Sequence, residues 1–190
     1  WAWAWAWASD SMNDSDNSNT TDFIISADYI ISTNKRRLDI DAMHAFLTRS
    51  YWSPGVTRAI VERFVANSLC FGVYHRRASS HGDAPRAIEA GPDSGAPAET
   101  QIGFARAVTD KTTFAYLADV YILETHRGQG LSKRLVRCIL DHPDLQGLRR
   151  FMLATKDAHT LYQQFGFREL STPSLMMEIV DPAMLARLKR

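Results

Sequence analysis

Cysteine is scarce. Cys70 and Cys138 are the only two in 190 residues, and neither falls in a CxxC or other metal-ligand spacing. That excludes a cysteine-built metal centre, reads both as core thiols, and makes a reduced, intracellular, cytoplasmic setting the expectation. The six histidines, at 44, 75, 81, 126, 142 and 159, form no HExxH or paired His/Cys pattern, so no metal is expected. Long apolar runs are missing too, and without a run of ~18 residues no helical membrane span is expected. Excess charge is small, net +1. The first 22 residues hold four Asp and no Lys or Arg, which leaves the remainder at net +5. This mild basicity suits an anionic ligand, but no Lys/Arg stripe with interleaved aromatics marks a nucleic-acid surface, so no nucleic-acid partner is expected.

What is present is enough for one substantial core, with 45% hydrophobic residues. The chain opens on "WAWAWAWA", with no basic region or cleavage site of a signal or transit peptide. It reads as a cloning-derived addition or a stand-in for unassigned sequence. The Ser/Asp/Asn-rich stretch behind it has too little apolar surface to offset the entropy of ordering, so residues 1–22 are expected to be a disordered or added tail. Residues 23–190 read as a single domain.

Within it, "FIISADYIIST" reads as a first strand, followed by helices in "LDIDAMHAFLTRS" and "VTRAIVERFVANS". Asp39 or Asp41 can cap or charge the first of these helices. "LCFGVYH" and "IGFARAV" read as two strands of a hairpin whose turn is expanded by an insertion at about 76–101 that carries three Gly and three Pro. "TTFAYLADVYIL" is a long strand, and Leu131, Leu135, Val136, Ile139 and Leu140 space a helix that "DHPD" ends. "RRFMLAT" reads as strand, "KDAHTLYQQ" as a short helix, and "FGFREL" with "SLMMEIV" as a terminal pair of strands. The order is that of an α/β fold with a mixed sheet.

Between the long strand and its helix stands "ETHRGQGLSKRLV". Lys133 occupies the place where a Walker A loop or a Rossmann fingerprint needs its next glycine, so both templates fail. Even so, a strand that turns through Gly128 and Gly130 into a helix brings unpaired N–H groups and the helix dipole to one point, where an anion can sit close to the backbone.

The stretch Arg127-Gly128-Gln129-Gly130-Leu131-Ser132 resembles motif A, [R/Q]xxGx[G/A], of the GNAT superfamily of acetyl-CoA-dependent N-acyltransferases. "AHTLYQQFGF" resembles the second signature of that family, AxxLYxxxGF, in the right order downstream. The resemblance extends from about Phe23 to Val180. It implies a mostly antiparallel mixed α/β sheet of about seven strands flanked by helices. It also implies acetyl-CoA as co-substrate and an amine as acceptor, with direct attack in a ternary complex.

Position by position, Val120, Tyr121 and Ile122 match the strand edge that pairs with pantetheine. Arg127, Gly128, Gln129, Gly130, Leu131, Ser132 and Lys133 match the pyrophosphate loop. Ser132 departs from the Gly or Ala of the family, and Thr155 stands where the family commonly has Asn. Tyr162 matches the tyrosine that protonates the departing thiolate in many relatives. The usual carboxylate is absent from "RRFMLAT", which leaves Asp119 and Glu124 as candidate bases. Tyr51, Trp52, Arg106 and Tyr116 are the candidate acceptor contacts. A small-molecule amine is slightly favoured over a peptide, in a monomer or homodimer. A CoA-binding sensor or interaction module without catalysis is the competing reading, and an ATP- or NAD-binding domain is disfavoured by the failed templates.

Overall fold

The computed structural model describes residues 20–76 and 99–181. Most of the expected N-terminal tail and most of the insertion, residues 77–98, lie outside the described residues.

The elements run β1 (Asp22–Ile24), β2 (Tyr29–Ser32), α1 (Ile40–Leu47), α2 (Arg58–Ala66), β3 (Leu69–Arg76), β4 (Glu99–Thr109), β5 (Phe114–Ile122), α3 (Leu131–Leu140), β6 (Arg150–Leu153) and α4 (His159–Gln163). They build one mixed sheet in the order β1-β2-β3-β4-β5-β6, antiparallel throughout except for the parallel β5–β6 pair. The helical crossover α3 between β5 and β6 is what makes that pair parallel. The expected hairpin of "LCFGVYH" and "IGFARAV" is present as β3 and β4, which pair from Leu69↔Ala107 to Arg76↔Glu99.

Three expectations change. "FIISADYIIST" is not one strand but the hairpin β1–β2, because Ser26 and Asp28 carry a turn. The amides of Ile25 and Ser26 both donate to the Tyr29 carbonyl, and the Asp28 amide donates to Ser26 Oγ. "FGFREL" and "SLMMEIV" form no strand; with one strand gained in the first hairpin and these two lost, the described sheet has six strands rather than about seven. In the second segment the alternate residues Leu175, Met177 and Ile179 face solvent, at 75%, 96% and 104% exposure. Strand propensity there is not backed by burial against a sheet face.

The sheet is covered on both faces. On one face α3 buries Leu131, Leu135, Val136 and Ile139 against Ile31, Phe71, Val73, Ala105 and Leu117. Each such side chain contributes about 1.5–3 kcal/mol on leaving water. On the other face α1 and α2 bury Met43, Leu47, Val61 and Val65 against Cys70, Phe104 and Tyr121. Asp39, not Asp41, caps α1, its carboxylate accepting from the Ala42 amide at 2.9 Å, while Asp41 pairs with Arg58. Close approach at the centre of the sheet requires Gly103. A Cβ there would lie 2.6 Å from Ile122 Cδ1 and 2.8 Å from the Tyr121 carbonyl oxygen.

Candidate active site

Strand β5 pairs with β4 along most of its length but with β6 only from Phe114↔Arg150 to Leu117↔Leu153. Beyond that point the two strands separate, and a cavity of about 570 Å3 opens between them. Its floor comes from Leu117, Ala118, Asp119 and Val120 of β5 and from Leu153 at the end of β6. Ala154, Thr155, Lys156, Asp157, Ala158 and Tyr162 form one wall, and Tyr51, Trp52, Ser53, Arg106 and Tyr116 the other.

The separation coincides with a β-bulge. Arg106 faces Ala118 and Phe104 faces Tyr121, so β5 carries one residue more than β4 at this point. Asp119 takes up the extra residue with φ of 53°, a left-handed conformation that costs a non-glycine residue about 1–2 kcal/mol. The bulge also reverses the phase of the strand. Ala115 and Leu117 face the α3 side, whereas Tyr121, two steps of the same alternation further on, faces α1 and stacks on Phe46 with ring centroids 3.8 Å apart.

Asp119 is buried and both its oxygens are engaged. Oδ1 accepts from Trp52 Nε1 at 3.0 Å, and Oδ2 accepts from Arg106 Nε at 2.6 Å in an ion pair. The guanidinium donates through Nη1 to Ser68 Oγ and lies 4.3 Å over the Phe64 ring. Asp119 is thus the centre of a network rather than a free carboxylate.

Tyr162 is buried on α4 with its ring edge-on to Phe167 and its hydroxyl unpartnered among the described residues. Burial, with smaller contributions from Tyr51 and Asp157, pushes its phenol up to about 12. Thr155 Oγ1 accepts from the Ala158 amide at 3.0 Å and so steadies the start of α4. Tyr51 bridges the two walls, its hydroxyl accepting from the Lys156 amide at 3.1 Å. Lys156 and Asp157 were not anticipated from the sequence. Their only signal was position, directly after the strand that diverges. The Asp157 carboxylate makes no ion pair or hydrogen bond among the described residues.

The glycine turn follows β5. Gly128 and Gly130 take φ of 79° and 74°, with open space where a Cβ would point, and Gly130 caps α3. No amide of residues 128–133 donates a hydrogen bond among the described residues; the first intrahelical bond runs from the Arg134 amide to the Gly130 carbonyl. Six N–H groups are therefore available to an anion, with Lys133 exposed beside them. Arg127 turns back, donating from Nε to the Ile122 carbonyl at 3.1 Å and pairing with Glu124, and so ties the turn to the end of β5.

The cavity brings together Tyr51, Trp52, Arg106, Tyr116, Asp119, Val120, Thr155 and Tyr162 of the sequence-derived set. Glu124 does not join them. It lies in the single 3-10 turn Glu124–His126, with its side chain 83% exposed and its carboxylate paired to Arg127. The Tyr121 and Ile122 side chains point into the two cores, which leaves only their backbone for the site. Among the described residues no group of three or more His, Cys, Asp or Glu is placed to hold a metal ion, and no helix is long and apolar enough to cross a membrane.

Residues 93–169 match the family model of the acetyltransferase (GNAT) domain. A Gibberella zeae protein that carries an acetyltransferase name is 33% identical over 140 residues, covering 71% of this chain and 76% of its own. The solved structure of a GNAT-family protein of Xanthomonas campestris pv. campestris is 39% identical, covers 81% of this chain and 94% of its own, and superposes with a TM-score of 0.66. The chain belongs to the GNAT family of acetyltransferases. A Clostridium acetobutylicum protein solved with acetyl-CoA shares the fold, with a TM-score of 0.51, 13% identity, and coverage of 80% of this chain and 94% of its own. The motif A turn and the LYxxxGF segment of this GNAT domain both lie within the matched residues.

Proposed function

We propose that the protein transfers an acetyl group from acetyl-CoA to an amine by direct attack in a ternary complex. The observation that carries this reading is the divergence of β5 from β6 after Leu117 and Leu153, with the six unpaired amides of the glycine turn at the far end of the open strand. A strand edge left open inside a fold is costly unless something pairs with it. The pantetheine amides of CoA fit that edge as an added strand would, and its pyrophosphate fits the amides of residues 128–133. Gly128 and Gly130 let the phosphates reach the backbone, and Thr155 offers a hydroxyl from the opposite wall.

Tyr162 supplies the donor for the departing sulfur. Its raised phenol is protonated throughout the neutral range. Outright transfer of that proton to an alkyl thiolate, of pKa about 8.5, is uphill. The hydroxyl therefore works as a relay: it donates to the sulfur as the C–S bond breaks and takes the proton that the acetylated nitrogen gives up. The net result is a neutral amide and a thiol, with no build-up of phenolate. Backbone N–H groups of the open β5 edge polarise the thioester carbonyl. Both cysteines are buried, and neither lines the cavity, so a thiol relay has no support.

On the acceptor side, Tyr51, Trp52 and Tyr116 offer an aromatic wall. Asp157, as the cavity's unpaired carboxylate, offers a place for the proton or the positive charge of the amine. Turnover of acetyl-CoA with a panel of small amines, followed by release of free CoA thiol, tests the reading. Tight CoA binding with no release above background, together with a silent Tyr162→Phe substitution, would instead identify a CoA-binding module without catalysis.

A further inference from the structure

Arg106 and Asp119 form a 2.6 Å ion pair in the lining of the cavity, and its arrangement fits neither a free base nor a free acceptor contact. Both carboxylate oxygens of Asp119 are occupied, and two of the guanidinium nitrogens of Arg106 are committed to Asp119 and Ser68. Resting on the acyl-transfer reading above, we infer that Arg106 is a positioning residue that acts through Asp119. It fixes the inner geometry of the β5 bulge and, through the same carboxylate, holds Trp52 and its loop, so that the open strand edge and the aromatic wall are set as one unit.

The physical case has three parts. A non-glycine residue with φ of 53° inside a strand relaxes towards extended backbone unless its surroundings hold it, and Asp119 is held by two donors from two different elements. The bulge it occupies lies immediately after the last β5–β6 pair, at the point where the strand edge becomes free for a ligand. Trp52, the other donor, lies between α1 and α2, and neighbouring Tyr51 reaches across to the Lys156 amide. One carboxylate thus connects the floor of the cavity to its cover. The register of β5 beyond the bulge has separate support, since Tyr121 stacks on Phe46 and Ile122 is packed in the α3-side core. Loss of the Arg106 contact should therefore leave the fold standing and degrade the site.

The test uses Arg106→Gln, Arg106→Lys, Asp119→Asn and the Arg106→Gln/Asp119→Asn double variant of the full chain. Three readouts apply: the indole N–H resonance of Trp52, assigned by Trp52→Phe; the Kd for CoA by calorimetry; and the pH profile of acetyl-CoA turnover. The expected result is a displaced Trp52 resonance in both single glutamine and asparagine variants. CoA binding and kcat/KM should weaken together by roughly tenfold or more, as for a misplaced reacting geometry. Arg106→Lys should recover part of the loss, the double variant should be no worse than the worse single one, and the acid limb of the pH profile should be unchanged.

An unmoved Trp52 resonance in Arg106→Gln overturns the inference. So does loss of the acid limb in Asp119→Asn, which marks Asp119 as the base, or a raised acceptor KM with unchanged CoA affinity in Arg106→Gln, which marks Arg106 as an acceptor contact. If Arg106→Gln does not fold, Arg106→Lys carries the same three readouts. Failure of the wild type to release CoA sinks the acyl-transfer reading separately, while the Trp52 resonance and the CoA Kd still decide whether Arg106 sets the site.

Discussion

Leu117 and Leu153 are the last partners that β5 and β6 share, and both line the cavity that opens where the two strands part. Two parallel strands that part in this way leave backbone donors and acceptors that water satisfies when no ligand is bound. Addition of CoA should therefore slow amide hydrogen exchange in residues 118–122 and 128–133, with little change in β2 or β3. Mass-spectrometric exchange with and without CoA measures it, and protection confined to other segments would place the ligand elsewhere.

The glycines of the turn and of the sheet are required for different reasons, and their alanine variants should separate. At Gly130 a Cβ meets no atom within 4 Å, so the penalty is the left-handed backbone alone, about 1–2 kcal/mol. Gly130→Ala should fold with a modestly lower melting temperature and bind CoA less tightly. At Gly103 the Cβ would collide with Ile122 Cδ1 and the Tyr121 carbonyl oxygen, so Gly103→Ala must displace the end of β5. Thermal denaturation should show the larger loss for Gly103→Ala, although that residue touches no ligand.

Much of the site was legible before the fold was known, because its signals are local. The turn of Gly128 and Gly130 and the helical spacing of Leu131, Leu135 and Ile139 follow directly from residue type and period. Tyr162 was found through the LYxxxGF segment, and the aromatic wall through the family resemblance, which assigns acceptor contacts to the loop between the first two helices and to the central strands. What escaped depends on contacts between distant residues. The engagement of Asp119 by Arg106 and Trp52 joins positions 13 and 67 residues apart, and a positive φ at an Asp inside "LADVYI" leaves no trace in composition. The expected terminal strands failed for a related reason. "SLMMEIV" has the apolar content of a strand, but residues 174–179 are all exposed, and composition alone cannot report whether a sheet edge receives the segment.

The hydroxyl of Tyr162 makes no hydrogen bond within the described structure, so Tyr162→Phe removes no fold contact. Stability should stay within about 0.5 kcal/mol of wild type, while kcat falls by roughly 100-fold, the ordinary contribution of a positioned proton donor. Because burial holds the phenol up to about 12, the wild-type rate should show no alkaline limb from this residue between pH 7 and 10. A limb in that range that disappears in Tyr162→Phe would show that the phenol titrates far lower and acts as a free acid.

Alkali should unfold this domain early, and the sign follows from burial. Cys70 is pushed up to about 12 and Cys138 to about 11, both chiefly by desolvation, and the phenols of Tyr74, Tyr121 and Tyr162 are raised by the same cause. In the unfolded chain a thiol titrates near ~8.5 and a phenol near ~10. A group whose pKa is higher in the folded state binds its proton more tightly there. Its contribution is complete below the unfolded pKa and is lost as pH rises towards the folded one. Stability should therefore be flat near neutrality with respect to these groups and decline from about pH 8.5 upwards, steepening above about pH 10 as the three phenols join the two thiols. Urea midpoints at pH 7, 9 and 10.5 measure the decline. The Cys70→Ala/Cys138→Ala double variant should remove the part that sets in first, at the expense of a smaller core, and leave the part above pH 10 in place.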